Sequence, residues 1–270
     1  MKKEYIFFIV VLSSFLSFSQ VVLEANGKAN TYEFINSVLA PNYNVIETPD
    51  CAHAGFGDHI KQEWDRELKK NVFVFYAHLN EDNDKCEKFD RQRTEIKTYK
   101  QSPDNLIGVK GETVLYKWKF KLDKDFLPSK RFTHIHQIKA VGGTESAMPT
   151  ITISLRKSST NKLQIQHATD FNQEEVASKE LSVFLGTWIQ AEEKITYGEL
   201  GTARYEITLS NFANGEKLLS YKSNTLRMWK TDALFLRPKW GIYRSIKDKE
   251  SLRDEKVKFA DFSIQEITNN

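Results

Sequence analysis

The sequence predicts an all-β protein of antiparallel sheets packed face to face. Three observations carry that expectation: bulky and polar residues alternate with period two along most of the chain, turn residues separate the alternating segments, and helical patterning is confined to short pieces. In order, the alternating segments are residues 72–78, 91–99, 113–122, 132–140, 150–156, 162–167, 187–196, 204–210, 218–220 and 257–264. Turn signals lie at Val141-Gly142-Gly143, residues 158–161, residues 197–201 and Asn214-Gly215. Helical spacing covers only residues 30–39 and 63–69, neither long enough to roof a parallel sheet. The simplest architecture is therefore a jelly-roll sandwich, in which one sheet can curve to offer a groove for an extended ligand.

The chain opens with Lys2 and Lys3, passes through an apolar run over residues 6–16, and reaches small and polar residues before Gln20. This pattern predicts an export signal over residues 1–20, because the apolar run is too short to span a membrane and no second hydrophobic stretch follows. The product would be a secreted or periplasmic monomer forming one domain over residues 21–270, undivided by linkers, repeats or low-complexity tracts. Loss of two lysines and Glu4 with the signal takes the formal charge from +3 to +2. So small a charge exerts little pull on a polyanion. An acidic ligand must be held by a local cluster of Lys and Arg, and charge gives no reason to expect nucleic acid.

The two cysteines, Cys51 and Cys86, would both enter an oxidising compartment. An even count permits one disulfide there, and two separate thiols remain the alternative. The acidic run Glu81-Asp82-Asn83-Asp84-Lys85-Cys86 reads as a solvated turn; a structural calcium ion is the alternative, although the run lacks the glycine and distant glutamate of an EF-hand loop. No organic cofactor and no metal-ligand set are expected.

Three segments carry candidate chemistry. On residues 91–99, Arg91, Arg93, Glu95, Lys97 and Tyr99 share one face, and Gln92, Thr94, Ile96 and Thr98 the other. A face with so many charges is either solvated surface or the floor of an anion-binding groove. Residues 132–139 admit two registers. In the preferred one, Gln137 and Lys139 face the groove with Thr133 and Ile135 in line, and Ile138 is buried beside Phe132. In the other, His134 and His136 face the groove and Gln137 turns inward. On residues 239–245, Lys239, Gly241, Tyr243 and Ser245 share one face while Trp240 and Ile242 pack on the other.

Arg93-Thr94-Glu95-Ile96-Lys97, Gln137-Ile138-Lys139 and Lys239-Trp240-Gly241-Ile242-Tyr243, in that order, resemble the motif strands of the jelly-roll polysaccharide lyases, among them alginate lyases and glucuronan-lyase-like and heparin-lyase-like proteins. The resemblance implies a concanavalin-like jelly roll whose concave groove takes an acidic polysaccharide. It implies that Arg93 and Gln137 neutralise a substrate carboxylate, that Glu95 braces the cluster, and that Tyr243 acts as acid and base. Three departures stand out: Lys97 replaces an arginine and loses its bidentate fork, Lys139 stands where the family has a histidine, and Ser245 replaces a glutamine. The base must then come from elsewhere. His53 and His59 are candidates, and His59 is favoured because Gly55 and Gly57 let its loop approach a ligand. Lys139, Lys97, Lys239, Glu95 and His134 complete the expected substrate-binding set.

Such a site would perform β-elimination. The C5 proton of a uronic acid becomes acidic only when the adjacent carboxylate is neutralised; a base then removes it and an acid protonates the departing O4. A phenol with pKa near ~10 suits the acid role, with Lys239 and Arg244 close to it in sequence. If hydrogen and leaving oxygen share a face of the sugar, Tyr243 serves both transfers; otherwise His59 is the base. A glycoside hydrolase is disfavoured because Glu192 and Glu193 are adjacent and point to opposite faces. The stronger alternative is a non-catalytic carbohydrate-binding sandwich that stacks sugars on Trp118, Trp229 or Tyr99.

Overall fold

The computed structural model describes residues 20–267, so the expected export signal lies, but for Gln20, outside the described residues. In chain order the elements are β1 (Gln20–Leu23), α1 (Thr31–Leu39), β2 (Ile46–Glu47), β3 (Ile60–Asp65), β4 (Lys70–Ala77), β5 (Arg91–Lys97), β6 (Thr113–Leu122) and β7 (Thr133–Val141), followed by β8 (Ile151–Arg156), β9 (Lys162–His167), β10 (Glu174–Glu180), β11 (Trp188–Thr196), β12 (Arg204–Asn211), β13 (Lys217–Ser223), β14 (Phe235–Ser245) and β15 (Glu255–Ile267). They form two antiparallel sheets, one of eight strands in the order β13-β12-β11-β6-β15-β4-β3 with β1 added on β15, and one of seven in the order β10-β9-β8-β7-β14-β5-β2. The sandwich is the jelly roll that the alternation predicts. No helix among the described residues is long and apolar enough to cross a membrane.

The core lies between the sheets, where period-two alternation delivers one face of each strand. Its centre is aromatic: Trp118 on β6 and Trp240 on β14 meet edge to face with ring centroids 5.9 Å apart. His136 tilts against both rings and places Nε2 2.8 Å from the buried carboxylate of Glu193, which also accepts from Tyr205 Oη at 2.9 Å. Glu192, one residue away, faces solvent, as adjacent strand positions require.

Three expectations are corrected. Residues 63–69 are not helical: they finish β3 and turn into β4, because Asp65 Oδ1 accepts the backbone N–H of Glu67 at 3.0 Å and of Leu68 at 3.1 Å, closing a tight hairpin. β10 escapes the alternation rule because it is an edge strand with no fully buried residue. The acidic run over residues 81–86 is no solvated turn, since Asp82, Asn83 and Asp84 are all buried. Three histidines and Arg93 hold it on the inside, and the disulfide Cys51–Cys86 ties it to the loop before β3.

Candidate active site

A groove of about 420 Å³ opens on the outer face of the seven-stranded sheet, across β5, β14, β7 and β8. Register brings the three sequence segments together there. On β14, Tyr243 pairs with Arg93 of β5 on one side and with His134 of β7 on the other, while Lys239 lies between Lys97 and Gln137.

Neither register expected for β7 holds throughout, because the strand carries a bulge. Its pairing with β8 steps from His134–Ser154 to His136–Ile153, leaving Ile135 as an extra residue. Ile135 and His136 both point into the core, so His134 and Gln137 emerge on the same groove face, with Lys139 next in line. The matching irregularity on β14 lies between Trp240 and Tyr243 and contains Gly241 at φ 146°. Only glycine fits, since a Cβ there would sit 2.0 Å from the carbonyl oxygen of Thr94.

The groove has a charged substructure. Arg93 forks onto Asp84 through Nε at 2.7 Å and Nη2 at 3.1 Å, and donates from Nη1 to Glu95. Lys239 Nζ lies 2.6 Å from both Glu47 and Glu95, and Lys97 Nζ lies 2.9 Å from Glu47. Burial pushes the Glu47 carboxyl up, but Lys239, Lys97 and Arg93 outweigh it and hold the group well below the usual range. Gln137 Nε2 donates to Glu95, which leaves the second N–H of the amide for another acceptor. The Arg93 guanidinium lies 3.7 Å from the centroid of the Tyr243 ring, and Arg91 Nη1 donates to Tyr243 Oη at 2.9 Å.

Of the residues expected from sequence, Tyr243, Arg93, Gln137, Lys139 and His134 line the groove, whereas Glu95, Lys97 and Lys239 belong to the ion-pair lattice with Glu47 around and beneath its floor. His59 does not line it. That ring is fully buried, with Nδ1 2.6 Å from Asp50 and Nε2 3.0 Å from Asp82. The cations beside Tyr243 are Arg91 and Arg93 rather than Lys239 and Arg244; Arg244 is fully buried and donates to Gln92 at 2.7 Å.

The structure adds groove residues that alternation did not single out. Lys88, Arg131 and Arg156 line it together with Lys139, and none of the four forms an ion pair among the described residues. Arg156 Nε and Gln173 Nε2 are buried there without a protein hydrogen-bond partner. The paired charges beneath the floor cancel one another, so these cations leave the groove with a net positive charge. Arg131 sits in a loop and Arg156 closes β8; in one dimension neither is distinguishable from a surface cation.

His134 and Tyr243 have complementary protonation. Burial pushes the His134 imidazole down to about 3; Glu95 opposes the shift, and Arg156, Arg93 and Lys239 add to it. Its Nδ1 lies 3.1 Å from Ser154 Oγ, and the ring stacks on Phe132 at 5.1 Å. Burial raises Tyr243 above its ordinary range despite Arg93 and Arg91, so the phenol keeps its proton. Lys139 is brought down to about 8 by burial and by Lys239, Arg93 and Arg237.

A family model described as polysaccharide lyase matches residues 68–261, more than half of the chain and the whole span of this groove. The chain belongs to the polysaccharide lyase family. No curated protein matches it. Among solved structures, this lyase is similar in fold to a PL-14 alginate lyase from Aplysia kurodai (TM-score 0.59, 12% identity, covering 93% of this chain and 100% of that one). It is similar likewise to a variant of family 7 alginate lyase A1-II′ in complex with substrate (TM-score 0.57, 16% identity, 86% and 99% covered). An endo-β-1,4-glucuronan lyase from Trichoderma reesei superposes with TM-score 0.54 at 14% identity, covering 76% of this lyase and 86% of that chain. Two of the aromatic residues offered for the stacking alternative, Trp118 and Trp229, are buried in this lyase and present no platform to a sugar.

Proposed function

We propose that this lyase cleaves a uronic-acid-containing polysaccharide by β-elimination, with Tyr243 as acid and His134 as base. One observation carries the reading: a neutral imidazole and a protonated phenol, with rings 6.0 Å apart, face one groove beside unpaired cations. The substrate carboxylate is held by the spare N–H of Gln137 and by Lys139, with Arg91 close to Tyr243 Oη, so the negative charge that develops on the carboxyl meets fixed donors. His134 takes the C5 proton, the C5–H electron pair becomes the C4–C5 double bond, and O4 departs with the proton of Tyr243 Oη. Arg93 positions Tyr243 by covering its ring and Asp84 fixes Arg93; the free enzyme needs no tyrosinate. Glucuronan, alginate, ulvan-like and glucuronate-bearing plant polymers all satisfy this logic.

Export belongs to the same reading, because a polymer this large is met outside the cytoplasm. The N-terminal Lys2, Lys3 and apolar run support it, as does the disulfide.

The test is a panel of these polysaccharides, followed by the ultraviolet absorbance of the unsaturated sugar that elimination leaves. We expect a steady rise with at least one polymer and none with Tyr243→Phe. A flat trace across the panel, or a rise undiminished in that variant, overturns the assignment.

A further inference from the structure

A second group of chemistry-bearing side chains lies outside the groove, at the end of the β3–β4 hairpin. His59 immediately precedes β3 and His78 immediately follows β4; the pairing of Ile60 with Phe75 sets the two side by side. His53 comes from the loop that the disulfide anchors. All three rings turn on Asp82, whose side chain is fully buried: His59 Nε2 is 3.0 Å from Oδ1, His53 Nδ1 3.1 Å from Oδ1, and His78 Nδ1 3.2 Å from Oδ2. Phe56 covers the group, its ring 4.2 Å from that of His78 and 4.9 Å from that of His59.

With protein alone, His59 must carry both of its ring protons. A neutral imidazole has one N–H, yet both nitrogens of His59 face carboxylates, since Nδ1 also lies 2.6 Å from Asp50. Two further imidazoles crowd the carboxylate on which Nε2 converges. A divalent cation bound by the Asp82-facing nitrogens and one Asp82 oxygen takes the place of the second His59 proton and draws all three imidazoles into one shell. It leaves His59 Nδ1–H to donate to Asp50, the outer carboxylate that orients metal-bound histidines.

We propose that His53, His59, His78 and Asp82 form a structural site for zinc or a similar first-row divalent cation. One donor atom from each lies within 4.8 Å of the other three. The edges of a zinc tetrahedron are about 3.4 Å for bonds of about 2.1 Å, so modest ring rotations complete the site. Three imidazoles select this ion class over calcium or magnesium, which take oxygen ligands. Four protein ligands fill the shell and leave no open position for chemistry, as in structural zinc sites. The side chains of His53 and His78 are 24% and 16% exposed, which gives an ion a route in from solvent. The carbonyl oxygens of His78 and Asp82 accept from Gln92, Asn83 O accepts from Arg93 N at 3.2 Å, and Asp84 holds the Arg93 side chain. The ion thus braces the loop that positions Arg93 under Tyr243.

The experiment uses tag-free full-length protein, stripped with chelator, dialysed, and titrated with Zn²⁺ or with Co²⁺. We expect one zinc per chain to survive gel filtration, visible Co²⁺ bands of tetrahedral intensity, and a rise in Tm of roughly 5–10 °C at about a hundredfold excess over Kd. Asp50→Asn should weaken zinc binding by about 10–100-fold, and His53→Gln or His78→Gln by more, with circular dichroism unchanged. These two partly exposed histidines are the variants least disruptive to folding, and the wild-type cobalt spectrum is decisive without them. Failure of the stripped wild-type chain to retain zinc overturns the site. So does a cobalt spectrum that His53→Gln and His78→Gln both leave unaltered.

Discussion

On the outer face of the eight-stranded sheet, Lys117 pairs with Glu192 and Lys222 with Glu206, through side chains that are 39–72% exposed. On the seven-stranded sheet Arg93, Glu95 and Lys239 make chemically equivalent pairs through side chains only 1–12% exposed. Water screens the first set, so each such pair is worth at most about 1 kcal/mol. The second set has lost its water. It holds together because each charge faces opposite charges, and removing one member strands the others. Sequence alternation writes both faces alike; depth separates a solubilising surface from an organised groove.

The largest effects should fall on the two proton-transfer groups. Tyr243→Phe and His134→Gln should each lower turnover by about 10²–10⁴-fold while Tm stays close to wild type, measured by initial rates and thermal melts. Loss of Tm in parallel with activity would place both side chains in the structural lattice instead.

Breaking that lattice should cost stability. Arg93→Ala leaves Asp84 and Glu95 without their fork, and denaturant unfolding should register about 3–5 kcal/mol, against less than about 1 kcal/mol for Lys117→Ala on the open sheet. Equal losses from the two variants would erase the contrast between the sheets.

Acid sharpens the same contrast. Despite burial, Lys239 and its neighbours hold Glu47 and Glu95 below the usual carboxylate range. Because these folded-state pKa values are depressed, their stabilisation is complete above the unfolded carboxylate value of about 4.3 and is lost as pH falls below it. Glu95→Gln should flatten that acid dependence in equilibrium unfolding.

A smaller effect is kinetic. Lys139, brought down to about 8, loses its charge as pH rises through that value, so kcat/KM should fall on the alkaline side. Lys139→Arg should move this limb upward. With His134 neutral down to about 3, no acid limb from the base is expected near neutrality.

Much of this arrangement was legible in one dimension. Period two gave the sandwich, and it set Arg93 with Glu95 and Lys239 with Tyr243 on common faces. Three features were hidden. The bulge at Ile135 is one residue of slack in an otherwise regular strand, and no residue type announces it. The acidic loop reads as solvated because two of its partners, His53 and His59, stand 29 and 23 residues before Asp82. The third is Trp118, which looks available for stacking until two sheets close over it.

The extra residue on β7 also works as a switch of facing. With Ile135 bulged, His134 reaches outward and His136 inward; in a regular strand the two, being two positions apart, would share one face. The bulge thus decides how many imidazoles face the groove without altering any chemistry-bearing residue.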